Sequence, residues 1–163
     1  RSFVKNWKLT DFTADKLSDS LRGRSPQIGA KLFKDATCLG CHKMKKEGGA
    51  VGPDLTDVLK RWKGDRHGIL REIIDPSYKI DPKYAVKVVI DIDGLTTSGI
   101  VTAEDKKSIS ILVNPEVPKP KVILKDNIEE IIPSTTSMMP KALLDKFTTD
   151  EIMEILSYIT AEE

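Results

Sequence analysis

Cys38-Leu39-Gly40-Cys41-His42 constrains this chain more than any other stretch, because it places three chemically active side chains within five residues. C-x-x-C-H is the spacing at which a c-type haem is attached. Two thiols three positions apart reach the two vinyl groups on one edge of a porphyrin. The imidazole that follows is then held where a ring nitrogen can ligate the iron. These are the only two cysteines in the 163 residues, so none is left for a structural disulfide or a four-cysteine metal site. Other chemistries fit less well. A thioredoxin-like redox pair needs the motif near a βαβ pattern, whereas here it lies between a short helical stretch and a glycine-rich loop. A zinc site needs two further ligands at finger spacing, and the other histidine, His67, stands alone in a polar stretch. A pair of buried structural cysteines leaves His42 without a role.

The length suits one domain, or one domain with a substantial insertion. A formal charge of +1 gives no reason to expect a nucleic-acid partner, and no apolar run is long enough to span a bilayer. Aromatic residues make up only 6%, a small supply for a self-sufficient core that a buried porphyrin would supplement. Residues 1–24 mix aromatic and charged side chains without a sustained amphipathic stripe. They read as a leader or linker from a preceding domain, with a helical arm over the rest of the chain as the alternative.

Ser25-Pro26 opens a helix, with serine as N-cap and proline at the first helical position. This helix runs to about Asp35, with Ile28, Leu32 and Phe33 on or near one face. Gly29, costly inside a helix by about 1 kcal/mol relative to alanine, marks a close approach to another helix. Thr148-Thr149-Asp150-Glu151 is a capping box that opens an apolar-periodic helix with Ile152, Ile155, Leu156, Tyr158 and Ile159. The first and last helices are expected to cross, with Gly29 at the contact and Phe33 near Tyr158. Two shorter helical stretches, Leu55–Trp62 and Gly68–Ile74, lie between. From Asp75-Pro76 the period changes. Tyr84–Ile92 is rich in β-branched residues and runs into Asp93-Gly94, a strong hairpin signal. Leu95–Thr102, Ser108–Val113, Val122–Leu124 and Ile128–Ile132 follow, with a proline-broken loop from Asn114 to Pro120. The pattern predicts an antiparallel sheet of four or five strands.

Gly29 and Phe33 before the haem motif, Gly52-Pro53-Asp54-Leu55 after it, Met139-Pro140 late in the chain and the closing EILSYI helix together resemble a class I cytochrome c. That resemblance implies a helical haem domain whose Pro53 offers its carbonyl to His42, orienting the ring and raising its basicity. It also implies a sulfur ligand on the far side of the iron. The S-x-M-P pattern of Ser137 to Pro140 selects Met139, with Met138 as the alternative, and Pro140 stiffens the loop beside it. Trp62 is a candidate to close over the haem or to donate its indole N–H to a propionate, with plain core packing an equal alternative. Arg66, Arg71 and Tyr84 are further candidate propionate partners.

Plain class I cytochromes carry no sheet between their helices and their methionine, yet His42 and Met139 stand 139 − 42 = 97 positions apart. With its sheet between IIDPSYKI and the methionine loop, the chain is similar to the haem-binding domain of planctomycete and related bacteria. Such domains commonly sit at the C-terminal end of large exported proteins, and Arg1 as first residue fits an excised piece. The expected architecture is therefore α+β: a cytochrome c-like domain over 25–163, with an inserted antiparallel sheet at about 83–133. The resemblance implies one covalent haem c and one-electron transfer in place of independent catalysis. It further implies a periplasmic or otherwise extracytoplasmic location, and a redox protein or attached dehydrogenase as partner. Loss of the sixth ligand would instead make the domain a haem enzyme or gas sensor. Lys31, Lys34, Lys43, Lys45 and Lys46 gather positive charge near the haem motif, either as a solvated face or to steer an acidic partner.

Overall fold

The computed structural model describes residues 1–117 and 119–161. Pro118, within the proline-broken loop, and the last two positions of the expected 25–163 domain lie outside the described residues. The chain forms two compact units: residues 1–78 with 140–163, and residues 79–139.

In the first unit the helices are α1 (Ala14–Ser20), α2 (Pro26–Asp35) and α3 (Cys38–Cys41). A two-residue hairpin of β1 (Lys43–Met44) and β2 (Glu47–Gly48) follows, then α4 (Val58–Arg61) and α5 (Arg66–Ile74). Helix α6 (Thr149–Ile159) closes the unit. The Ser25 side chain accepts from the Ile28 amide at the start of α2. At α6 the Thr148 amide donates to Glu151 Oε2 at 2.9 Å while the Glu151 amide donates to Thr148 Oγ1 at 3.3 Å, a complete capping box. Helices α2 and α6 pack together as the sequence predicts. A Cβ on Gly29 would stand 2.5 Å from the Glu154 carbonyl oxygen and 2.6 Å from Tyr158 Cβ, so only glycine admits this crossing. The rings of Phe33 and Tyr158 lie 5.6 Å apart. Ile28 departs from expectation. It is 51% exposed, because the buried stripe of α2 runs through Gly29, Leu32 and Phe33 and leaves the preceding position outside.

Residues 1–24, expected as a leader or linker with a helical arm as the alternative, pack on the first unit. Phe12 and Leu17 are buried in the same core as Phe33, Leu70 and Ile155. The Val4 and Lys5 amides both donate to the Asp145 carbonyl, at 2.8 and 3.2 Å. Arg24 pairs with Asp150 at 3.0 Å and with Glu154 at 3.5 Å. The segment lies along the helical unit, with its Leu9–Asp11 turn and α1 against α5.

The second unit is a single antiparallel sheet of β3 (Val86–Asp91), β4 (Thr96–Glu104), β5 (Ser108–Leu112), β6 (Lys121–Leu124) and β7 (Ile128–Pro133), in the order β6-β5-β4-β3-β7. Although β6 and β7 lie at opposite edges, only a three-residue 3-10 turn, Lys125–Asn127, joins them. The Lys125 amide donates to the Lys107 carbonyl at 2.8 Å and the Ile92 amide to the Asn127 carbonyl at 3.1 Å. Lys107 and Ile92 flank opposite ends of β4, which would be roughly 26 Å apart along a straight strand of that length. The sheet must therefore curl, and its register shifts, between Ile90 and Asp91 and between Val101 and Ala103, are places where a strand bends. Curling encloses one face, where Val89, Ile109 and Ile111 are buried with Val101, Ile123 and Ile128 against them.

Candidate functional site

Helix α2 passes almost directly into α3. Thr37, at φ 63°, takes the left-handed conformation that turns the chain between them. Within α3 the i, i+3 spacing sets Cys38 and Cys41 on one face of a single turn, and the His42 amide closes that turn on the Cys38 carbonyl at 2.9 Å. His42 itself is extended, at φ −111° and ψ 136°, so its side chain leaves the helix. Neither cysteine is in a disulfide. Burial pushes the Cys38 thiol up to about 12, which keeps its proton on sulfur at neutral pH.

The loop after the motif folds back on α3 through three backbone bonds. Gly49 donates to Leu39 at 2.9 Å, Gly52 to Cys41 at 2.8 Å, and Leu55 to Lys43 at 2.8 Å. They bring the Pro53 carbonyl 2.9 Å from His42 Nδ1. A carbonyl oxygen can only accept, so Nδ1 carries the proton and the lone pair is left on Nε2. Asp54 holds the turn rigid: its carboxylate accepts from the Thr56 amide at 2.8 Å and hydroxyl at 2.6 Å, and Arg61 Nη2 donates to its carbonyl. These bonds from Thr56 keep the Asp54 carboxyl below its ordinary pKa.

Gly52 forms a wall of the site. A Cβ there would lie 2.5, 2.8 and 3.1 Å from Cε1, Nδ1 and Nε2 of His42, so the imidazole lies face-on against the glycine backbone. Burial depresses the His42 pKa below 6.5, opposed by the bond to Pro53, and the ring stays neutral at pH 7 as a metal ligand must. Two thiols on one turn, a neutral imidazole with a free Nε2 and a carbonyl fixing its tautomer fit covalent haem. No group of three or more His, Cys, Asp or Glu side chains placed to hold a metal ion occurs among the described residues.

Cys38, Cys41, His42 and Pro53 come together in the first unit. Trp62 ends α4 half-buried, its ring packed where a Cβ on Gly68 would come within 2.9 Å of Cζ3. Arg66 Nε donates to Thr160 Oγ1 at 3.3 Å. Arg71 stacks 4.5 Å over the Tyr78 ring, and its Nε is buried without a hydrogen-bond partner among the described residues. Met138 and Met139 end the second unit, where Ser137 Oγ accepts from the Met139 amide at 3.2 Å. Tyr84 belongs to that unit as well. Met44 and Met153 are core residues, each 1% exposed. The wall formed by Gly52 carried a signal in the sequence, a glycine directly before the ligand-orienting proline, but its contact with the ring is set by folding.

Residues 26–92 match the family model for cytochrome c. The matched stretch holds the haem motif and Gly52-Pro53, and ends 139 − 92 = 47 positions before Met139. Cytochrome c domains bind haem c covalently and act in electron transfer, and Cys38 and Cys41 stand at the two attachment positions. No curated protein matches the chain. No helix among the described residues is long and apolar enough to cross a membrane.

Proposed function

We propose that the chain is a one-electron carrier of the class I cytochrome c type, with an inserted sheet, in which His42 and Met139 would ligate the iron of one haem. The observation that carries this reading is the 2.9 Å bond between His42 Nδ1 and the Pro53 carbonyl, which orients a neutral imidazole beside two thiols. Cys38 and Cys41 hold the group by adding S–H across its two vinyl bonds, forming one S–C bond each. Bound haem supplies an iron that takes up and returns one electron. His42 would ligate the iron through Nε2, while Pro53 keeps the ring from rotating and raises its basicity. Met139 would supply a soft thioether, which favours the ferrous state and would leave no site for oxygen or peroxide. Trp62, through its indole N–H, and Arg66, Arg71 and Tyr84 are the candidate donors to the propionates.

Electrons come from a dehydrogenase, attached or separate, and pass to a second redox protein outside the cytoplasm, where haem is joined to such motifs. The lysines flanking the motif favour an acidic partner, so raising ionic strength should slow reduction by it. Optical spectra of the haem-loaded protein test the ligand assignment. Low-spin bands with a weak thioether charge-transfer band at the red end, lost in Met139→Ala, are expected. A high-spin spectrum, or fast carbon monoxide binding after reduction, would replace this reading with that of an open-site haem enzyme or gas sensor.

A further inference from the structure

We propose that the N-terminal arm is a clamp that positions the methionine segment, with Trp7 and Asp145 as its fastening. The inference rests on Met139 being the sixth ligand.

Met139 is followed by Pro140 and then by a strap of consecutive turns, residues 141–147. Leu144 and Phe147 anchor the far half of the strap in the core. The half next to the methionine is held differently. It borders a cavity of about 220 Å³ whose other walls include Trp7, Ile73 and Ile74, so packing alone does not fix it. Ala142 there takes φ 65°, a conformation that a residue with a Cβ keeps only when its surroundings impose it. Its carbonyl accepts from the Asp145 amide at 3.1 Å, which links this half to the residue where the arm fastens. The Val4 and Lys5 amides converge on the Asp145 carbonyl at 2.8 and 3.2 Å. The Trp7 amide donates to Asp145 Oδ1 at 3.3 Å, and Trp7 Nε1 donates to the Phe147 carbonyl at 3.1 Å. On the other side Lys141 Nζ meets Asp75 Oδ1 at 2.9 Å.

A thioether is a weak ligand, and its hold on iron depends on how little its backbone can withdraw. Pro140, with its fixed φ, passes any movement of the strap to Met139. An arm that ties the strap at four hydrogen bonds therefore slows withdrawal of the sulfur, and with it replacement by an outside ligand.

The test is the rate at which imidazole abolishes the thioether charge-transfer band of the ferric, haem-loaded protein. Trp7→Phe combined with Asp145→Ala removes both side-chain ties and should raise that rate about tenfold or more. Asp145→Asn, which keeps an oxygen acceptor, should restore most of the difference when paired with native Trp7. Leu17→Ala removes a buried arm residue away from the strap, and should lower the melting temperature with little change in exchange. An unchanged rate in the double variant, or an equal rise in Leu17→Ala, would show that the arm only stabilises the fold and would overturn the clamp alone. Absence of the band in the unaltered protein would remove the His42/Met139 assignment, and the clamp with it.

Discussion

Gly52→Ala perturbs the His42 ring directly. The added methyl would sit 2.5 Å from Cε1 and 2.8 Å from Nδ1 of His42, against an ordinary carbon contact of about 3.5–4 Å. Neither side can yield freely. The Gly52 amide is bonded to the Cys41 carbonyl at 2.8 Å, and the ring is bonded to the Pro53 carbonyl at 2.9 Å. Relief needs a shift of about 1 Å, which costs about 1–3 kcal/mol as overpacking. If the ring gives way, its bond to Pro53 is lost as well, about 1 kcal/mol more. The expected loss is about 2–4 kcal/mol in urea unfolding of the haem-free protein, together with weakened His42 ligation after haem is attached. Gly40→Ala serves as control: a Cβ there meets nothing within 4 Å, and alanine is the better helix former. Equal stability of the two variants, or an unaltered His42 ligation signature in Gly52→Ala, would refute the packing argument.

Three further outcomes follow from the same geometry. Gly29→Ala should destabilise the helical unit by about 1–3 kcal/mol in urea unfolding despite its gain in helix propensity, because its Cβ meets the α6 backbone 2.5 Å away. In the haem-free protein His42 is neutral when folded, with its pKa below the ordinary 6.5. The unfolded chain therefore binds more protons as pH falls through 6.5, and stability should drop there by up to about 1.4 kcal/mol per pH unit. His42→Gln should flatten that part of the unfolding-versus-pH curve, and an unchanged slope would assign the titration elsewhere. Alkylation of the haem-free protein at pH 8, followed by peptide mass analysis, should label half-buried Cys41 well before Cys38, whose thiol is buried and pushed up to about 12.

Features with local signals were legible in the sequence. Ser25-Pro26, the Thr148/Glu151 box and Gly29 specify where α2 and α6 begin and touch, because caps and a missing Cβ act over a few residues. A sheet of four or five strands was legible from β-branched alternation and from Asp93-Gly94, whose glycine takes φ 78° in the turn. Features set by distant partners were not. Trp7 finds its acceptors 138 and 140 positions away, at Asp145 and Phe147, and no periodicity in residues 1–24 announces them. The curl of the sheet goes with register shifts inside β3 and β4 and with two bonds made by the turn at residues 125–127. Lys45 and Lys46 adopt φ of 50° and 72° where turn chemistry would favour asparagine and glycine, so the β1–β2 hairpin carried no signal of its own. Of the site, the cysteines, His42 and Pro53 could be read from spacing and family pattern. The face-on contact of Gly52 with the imidazole required the fold.

The central claim is that Cys38 and Cys41 carry haem with His42 beneath it. Its most direct test is the intact mass of the protein after maturation with haem and extraction with acidified organic solvent. The account predicts a mass raised by one haem that survives extraction, and the bare chain mass when both cysteines are replaced by alanine. A native protein that gives up its haem to the solvent, or never acquires it, would contradict the account.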